Sequence, residues 1–302
     1  MSPTPPSRLP VAALATALLA LLACSDETPS SGPDSGELSR QTAEAIALSV
    51  SDDQESFAYT STVAPGIGAR LFGDGPPHFG LRFVLGAGCL PALSPVPPAN
   101  LDGDAVPDAL LLDFEGVSCR TDRVGIEMAG SLGIEDPAVP GFGVRFVFSD
   151  LAQALTRLST GATLTRTWDG TRQVVGSPSN PNTQLTHTIT NFVTTLTMPD
   201  GAMATHVKNW NGNFEGDVEG SLWYDGPLPA GNWTFDGNST WAKGGRIWSV
   251  ELATTTPIHF DPACDARPRF DAGVVRLEVT RNGVTRVVTV SYPECGTVVV
   301  SH

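Results

Sequence analysis

Basic side chains are scarce in this chain of 302 residues, where 18 Lys and Arg stand against 32 Asp and Glu and the formal net charge is -14. Nucleic acid and anionic lipid surfaces would repel such a chain, so neither is expected as a partner. The five histidines are scattered, and the sequence has no Gly-x-Ser-x-Gly motif. Because no nucleophile–base pair or zinc cluster is evident, we predict no catalytic residues and favour a non-enzymatic role.

Long apolar runs are also rare, and the clearest is Leu9 to Ala23. It is shorter than the roughly 20 apolar residues that a membrane-spanning helix needs, and it is typical of a signal peptide covering residues 1–23. Leu21-Leu22-Ala23-Cys24 resembles the lipobox, at which bacteria attach diacylglycerol to the cysteine and cut before it. An ordinary signal peptide followed by an incidental cysteine is the alternative. We expect an exported protein that is lipid-anchored through Cys24.

The segment that follows agrees with an anchor. Residues 24–36 are rich in Ser, Pro, Gly and Asp and contain no large apolar side chain. This composition predicts a flexible, solvated tether. By resemblance to sorted lipoproteins, Ser25 directly after the lipidated cysteine indicates delivery to the outer membrane. A membrane, contacted through the N-terminal lipid, is therefore the first partner that the sequence predicts.

One short helix is expected between the tether and the main body. Apolar residues at helical spacing, among them Ile46, Ala47 and Val50, predict a helix from about Ser39 to Ser51, within a segment spanning residues 37–54. With 31 Gly and 25 Pro in the chain, further helices are disfavoured.

The remainder, residues 55–302, predicts an all-β fold: a large antiparallel β-meander or sandwich-like body. Apolar and polar residues alternate in Val124 to Met128, in Phe142 to Phe148 and in Val275 to Thr280, as strands with one buried face require. Dipeptides that favour hairpin turns recur between such runs. They are Asp169-Gly170, Asp200-Gly201, Asn211-Gly212, Asp225-Gly226, Asp236-Gly237 and Asn282-Gly283. A weak seam is expected at residues 177–182.

Four cysteines remain once Cys24 carries lipid, and an even number in an oxidising compartment predicts disulfides. Sequence alone permits three pairings. Cys89 and Cys119 are neighbours along the chain, as are Cys264 and Cys295, whereas crossed pairs would close much longer loops. We predict the two local bonds, Cys89 with Cys119 and Cys264 with Cys295. Four buried free thiols are the alternative.

Several segments together resemble a family of uncharacterised exported bacterial lipoproteins. They are Asp108 to Phe114 with Cys119 after it, Thr167 to Arg172, Gly244 to Val250, and the closing segment from Cys264 to Cys295. The resemblance implies a β-rich, cysteine-paired body behind a lipobox. It implies no activity.

Two surface features could bind a ligand. All six tryptophans fall between residues 168 and 248, and rings flanked by amides, as in Trp210, Asn211 and Trp223, could stack on sugars. Core packing is the alternative for such rings. Glu215, Asp217 and Glu219 would share one face of a strand, and a charged edge that resists strand addition is their alternative role. We therefore expect a structural or binding protein whose partner is a glycan or another envelope protein, with a carbohydrate-binding or carbohydrate-active module as the alternative function.

The segment Asn100 to Asp108 resembles the calcium loops of thrombospondin type 3 and dockerin repeats. Oxygen ligands would come from four side chains and one backbone carbonyl, namely Asn100, Asp102, Asp104, Asp108 and the carbonyl of Val106. Calcium is thus the one candidate cofactor. An Asp-rich turn that leads into a strand is the alternative, since Ala105 stands where such loops carry glycine.

Calorimetry distinguishes the two interpretations of this loop. A calcium site predicts saturable heat on titration with calcium, and the heat should be lost in Asp102→Asn and Asp104→Asn. A titration without binding up to millimolar calcium would leave only the turn.

Overall fold

The computed structural model of the chain describes residues 40–60, 90–96, 106–137, 143–222 and 228–302. The predicted signal peptide, Cys24, the tether, Cys89, Trp223 and residues 97–105 of the candidate calcium segment lie outside these ranges.

Within the described ranges the chain forms one helix, α1 (Arg40–Thr60), and thirteen strands. The strands are β1 (Ala92–Ser94), β2 (Ala109–Asp113), β3 (Val117–Arg120), β4 (Val124–Glu135), β5 (Gly143–Arg157), β6 (Thr163–Gly176), β7 (Gln184–Thr197), β8 (Met203–Gly216), β9 (Gly231–Lys243), β10 (Arg246–Phe260), β11 (Phe270–Arg281), β12 (Val284–Ser291) and β13 (Val299–Ser301).

All these strands belong to one antiparallel sheet, so the predicted all-β antiparallel fold is confirmed. The spatial order follows the chain from β1 to β13, except that β3 lies off this path and pairs with β4. The expected seam at residues 177–182 is the connection between β6 and β7. Those two strands pair up to Gly176 and Leu185, directly beside the connection, so the sheet is continuous there.

A row of residues with positive φ crosses the sheet at mid-strand, and we call it the bend line. Its members are Gly130, Asp150, Gly170, Asn191 and Gly237, on β4, β5, β6, β7 and β9. Pairing registers shift at this line between β4 and β5, between β5 and β6, between β6 and β7, and between β7 and β8. Bulges of this kind bend a strand and increase its twist, so the strands from β4 to β7 change direction at the bend line.

Three of the hairpin predictions are wrong. Asp169-Gly170 and Asp236-Gly237 lie inside β6 and β9, where the glycine takes the positive φ of the bend, and Asn211-Gly212 lies inside β8. Asp200-Gly201 and Asn282-Gly283 do form the turns that were predicted for them. Asp225-Gly226 lies outside the described residues.

The sheet curls around α1. Lys208 Nζ on β8 donates to Asp53 Oδ1 at 2.6 Å, and the Tyr292 hydroxyl, just after β12, donates to Gln54 Oε1 at 2.8 Å. In a flat sheet β8 and β12 would be four spacings, or about 19 Å, apart. Side chains of two consecutive helix residues reach both strands, so the sheet must be strongly concave on the side that faces α1.

The helix is longer than the sequence predicts, since it continues to Thr60. Ile46, Ala47 and Val50 are buried as expected. The same stripe continues with Asp53 and Gln54, and these polar residues lie inside the protein because Lys208 and Tyr292 bind them. No helix in the described ranges is long and apolar enough to cross a membrane.

The closing disulfide prediction is confirmed. Cys264 and Cys295 are bonded, with 5.8 Å between their Cα atoms. Cys119 is also disulfide-bonded. Its predicted partner, Cys89, lies outside the described residues, so that pairing stays a prediction.

Replacing Gly237 with alanine should test the bend line. Gly237 has φ 141°, and an added Cβ would overlap the carbonyl oxygen of Asn209 on β8 and lie 2.8 Å from the Cα of Trp210. Strain and overpacking should together lower the free energy of unfolding by about 2 to 5 kcal/mol. Chemical denaturation followed by tryptophan fluorescence measures this loss.

The matched control is Gly244→Ala. Gly244 also has a positive φ, 56°, but nothing lies within 4 Å of its added Cβ. Its cost should be only the backbone term of about 1 to 2 kcal/mol. Equal losses in the two variants would show that close packing at the bend line is not what requires glycine.

Candidate functional site

The described tryptophans form part of the core. Trp168, Trp210, Trp233, Trp241 and Trp248 are all buried, with Trp210 only 2% exposed. Trp210 is therefore not available to stack on a sugar at the surface, which corrects the ligand-binding interpretation of that ring. Asn211 accepts a hydrogen bond from Thr188 Oγ1 at 3.3 Å within the sheet. Trp223 lies outside the described residues.

The three carboxylates do not share a strand face, because β8 ends at Gly216. Only Glu215 lies on the strand, where it is exposed and accepts a hydrogen bond from Gln184 Nε2 at 3.3 Å. Asp217 and Glu219 follow in the connection after β8. Asp217 instead joins His259, as described below.

Little of the predicted calcium loop is described. Asn100, Asp102 and Asp104 lie outside the described residues. Val106 is fully buried, and the carbonyl of Asp108 accepts the backbone N–H of Asp136 at 3.3 Å. Across the described ranges, no group of three or more His, Cys, Asp or Glu residues is arranged to hold a metal ion. Calcium binding therefore stays a prediction.

A group of charged and polar side chains lies inside the concave face of the sheet. We call it the inner polar cluster: Asp53 on α1, Arg166 and Arg172 on β6, and His206 and Lys208 on β8. The strand residues lie in one patch because Arg166, Trp168 and Arg172 face inward on β6, as His206, Lys208 and Trp210 do on β8. An acidic protein thus places several of its few basic groups in its interior.

One carboxylate holds the centre of the cluster. Asp53 Oδ1 lies 2.6 Å from Lys208 Nζ, and Asp53 Oδ2 lies 3.5 Å from His206 Nδ1. Only 11% of the Lys208 side chain and 7% of the His206 side chain are exposed. The Asp53 side chain is 23% exposed, so the ion pair is partly shielded from water, and removing Asp53 would leave the charge of Lys208 buried and uncompensated.

Burial changes the protonation of this cluster. Burial and the positive charge of Lys208 hold the pKa of His206 well below its ordinary value, so the imidazole is neutral at pH 7. Burial lowers the pKa of Arg172 to about 10, against the opposing attraction of Asp53. Burial also lowers the pKa of Lys208, and the nearby charges of Arg172 and Arg166 add to this effect while Asp53 opposes it.

Aromatic rings surround the cations. Lys208 Nζ lies 5.7 Å from the ring centroid of Trp210 and 5.9 Å from that of Phe192. Arg166 Cζ lies 5.7 Å from the ring centroid of Trp168. The His206 ring stacks on Trp241 with centroids 3.5 Å apart. Rings at these distances stabilise a cation partially, without neutralising it.

Several buried polar atoms beside the cluster lack a hydrogen-bond partner among the described residues. They are Oδ2 of Asp53, Nε2 of His206, Oγ of Ser239, Nε1 of Trp241, Oγ of Ser51 and Nε2 of Gln54. Ser239 is the cross-strand neighbour of Lys208, and Trp241 is that of His206. A buried polar atom left without a partner costs about 1 to 3 kcal/mol, so their concentration at one place calls for an explanation.

The sequence carried a partial signal for this cluster. Lys208 lies two residues before Trp210 and six before Phe214, so a buried Trp210 puts a lysine on the buried face. Asp53 and Gln54 likewise continue the apolar stripe of α1. That they meet across 155 residues could not be inferred, because no local pattern encodes the contact.

A second cluster lies near the surface. The ring nitrogens of His259 on β10 lie 2.6 Å from Asp271 Oδ1 on β11 and 2.8 Å from Asp217 Oδ2. Asn232 Nδ2 donates to the other oxygen of Asp217 at 3.1 Å. Burial lowers the pKa of His259, but the hydrogen bonds and charges of both aspartates outweigh it and raise that pKa above its ordinary value. The protonated ring therefore ties the chain after β8 to β10 and β11.

Comparison of the chain with family models, with curated proteins and with solved structures gave no match.

His259→Asn should remove a contribution to the free energy of unfolding that is present at low pH and absent at high pH. A histidine whose folded pKa is raised stabilises the protein fully below its unfolded pKa of about 6.5, and this contribution is lost as pH rises through the folded value. We expect the variant to be less stable than the parent at pH 5, by no more than about 1 kcal/mol because the pair is partly exposed, and nearly equal at pH 9. Denaturation midpoints at both pH values measure the difference.

Asp271→Asn provides a second test of the same contact, since it keeps the side-chain shape and removes one charge. Its loss should show the same dependence on pH. A loss in His259→Asn that is larger at pH 9 than at pH 5 would contradict the assignment of a raised pKa.

Proposed function

We propose that this protein is an exported, lipid-anchored protein of the cell envelope, with a binding or structural role and no catalytic activity. The Cys264–Cys295 disulfide is the observation that carries the export part, because such bonds persist in oxidising compartments and are rare in the cytosol. The lipobox-like Leu21 to Cys24 and the polar tether support the anchor, and Ser25 supports the outer membrane as its place.

The inner polar cluster supports a binding role. Buried charges and unpartnered polar atoms destabilise a purely structural protein, and they are common where a ligand or a moving element must be recognised. In the described ranges this group of buried cations lies between the concave face of the sheet and α1.

The carbohydrate alternative has less support. It depended on exposed aromatic rings and on a shared carboxylate face, and among the described residues Trp210 is buried and Glu215, Asp217 and Glu219 are separated by the end of β8.

Lipidation can be tested by metabolic labelling with tritiated palmitate in a bacterial host. The parent chain should carry label and fractionate with the outer membrane, whereas Cys24→Ala should carry none and keep its signal peptide uncut. Ser25→Ala is the matched control, because it changes the next residue and should remain labelled. A Cys24→Ala chain that still carries label, or a parent chain that carries none, would contradict the proposal.

A further inference from the structure

We infer that the inner polar cluster is a binding site for an amphiphilic anion, a molecule with a carboxylate or phosphate group on an apolar body, and that the Asp53 carboxylate of α1 occupies this site in the absence of that ligand. This inference deepens the binding role proposed above and rests on it, but it does not depend on the lipid anchor.

The charge of the group to be bound follows from the donors. Lys208 Nζ, His206 and Arg166 converge on the concave face, and Asp53 is the carboxylate that Lys208 contacts there. The Arg166 guanidinium lies over the Trp168 ring, and no carboxylate of the described residues pairs with it. An additional anion would satisfy donors that one Asp53 carboxylate cannot.

Unpartnered atoms indicate that the present arrangement is incomplete. His206 is 6% exposed and its Nε2 has no hydrogen-bond partner, and Ser239, 2% exposed, has an unpartnered hydroxyl. Both lie on the strands that carry or neighbour Lys208. Ligand oxygens placed beside Lys208 would be within reach of these groups, whereas the short Asp53 side chain engages them only through the 3.5 Å contact with His206 Nδ1.

The apolar body follows from what surrounds the donors. The rings of Phe192, Trp210 and Trp241 and the neighbouring inner face of the sheet are apolar and buried. Free phosphate could use the polar donors, but it would bury no apolar surface against these rings. An anion attached to an alkyl or aromatic body would gain apolar burial on the same surface.

Helix α1 can separate from the sheet at low cost because buried polar atoms on its packed face lack hydrogen bonds. Its buried apolar side chains in the described part are Ile46, Ala47 and Val50, and the face continues with Ser51 and Gln54, whose Oγ and Nε2 lack partners. Undocking would return these atoms to water. The ligand anion then replaces Asp53 on Lys208, so no buried charge is left unpaired.

The test uses the whole mature chain, residues 24–302, exported behind an ordinary cleavable signal peptide with Cys24→Ser, so that neither lipid nor detergent competes. Decanoate and decyl phosphate, below their micelle concentrations, are compared by calorimetry with decanol and with inorganic phosphate. At least one of the two anionic amphiphiles should bind at one site, at least about tenfold more tightly than either control. Which of the two binds more tightly identifies the headgroup. Decanol binding as tightly as both anions would overturn the inference.

The Asp53→Asn variant tests whether Asp53 competes with the ligand, because its removal should raise the affinity. Removing the internal carboxylate should strengthen binding of the anionic amphiphile by about tenfold, whereas Arg166→Met should weaken it by a similar factor. Arg145→Met is the matched control and should leave binding unchanged, because Arg145 pairs with Glu135 away from the cluster, with 2.7 Å between Arg145 Nε and Glu135 Oε2. Weaker binding in Asp53→Asn would overturn the inference.

Hydrogen exchange tests the displacement. Amides of residues 40–60 should lose protection when the anionic amphiphile binds, while those of β8 and β9 keep theirs. Binding with undiminished protection of α1 would show that Asp53 is not replaced. If the amphiphile binds but the parent chain carries no palmitate label, the lipid anchor alone is refuted. If the chain is labelled but no amphiphile binds, the ligand site alone is refuted.

Discussion

The bend line is the constraint on which the rest of the structure depends. Strands of 12 to 15 residues, as β4 to β11 are, would form a broad sheet whose apolar face a single helix could not cover. Bulges at Gly130, Asp150, Gly170 and Asn191 bend successive strands at one level, so the sheet covers much of its own inner face. Polar side chains of neighbouring strands stabilise the bends. Asn209 Oδ1 accepts the Asn191 N–H at 2.7 Å, and Asp169 Oδ2 accepts the Asp150 N–H at 3.3 Å.

Curvature also makes a buried ion pair possible. Asp53 can reach Lys208 on β8 while Gln54 reaches Tyr292 after β12, because the sheet brings both strands to one helix. The position of α1 and the charge balance of the inner polar cluster are therefore linked. A change that weakens either contact of the helix changes the environment of the cations, and a change in the charge of the cluster changes how firmly the helix is held.

The sequence predicted what depends on local pattern and missed what depends on the bend. Alternation identified the strands, as Val275, Leu277 and Val279 show by being fully buried. It could not identify bulges, since an Asp-Gly pair supplies positive φ equally well to a turn or to a bent strand. The end of α1 was missed for a related reason. Asp53 and Gln54 place polar side chains at the positions where the buried stripe of the helix continues, and only their distant partners explain why these positions are polar.

The two described clusters that contain a histidine respond to acid in opposite directions. His259 has a raised pKa, so acid strengthens the contacts that join β10, β11 and the segment after β8. His206 has a lowered pKa while α1 is docked. Below about pH 6.5, a state that exposes His206 therefore binds a proton that the docked state does not bind. Acid therefore stabilises this outer corner of the sheet while it favours states in which the inner polar cluster is open. Since Asp53 on α1 contacts His206 directly, acid should weaken the docking of α1 while it strengthens the contacts of His259.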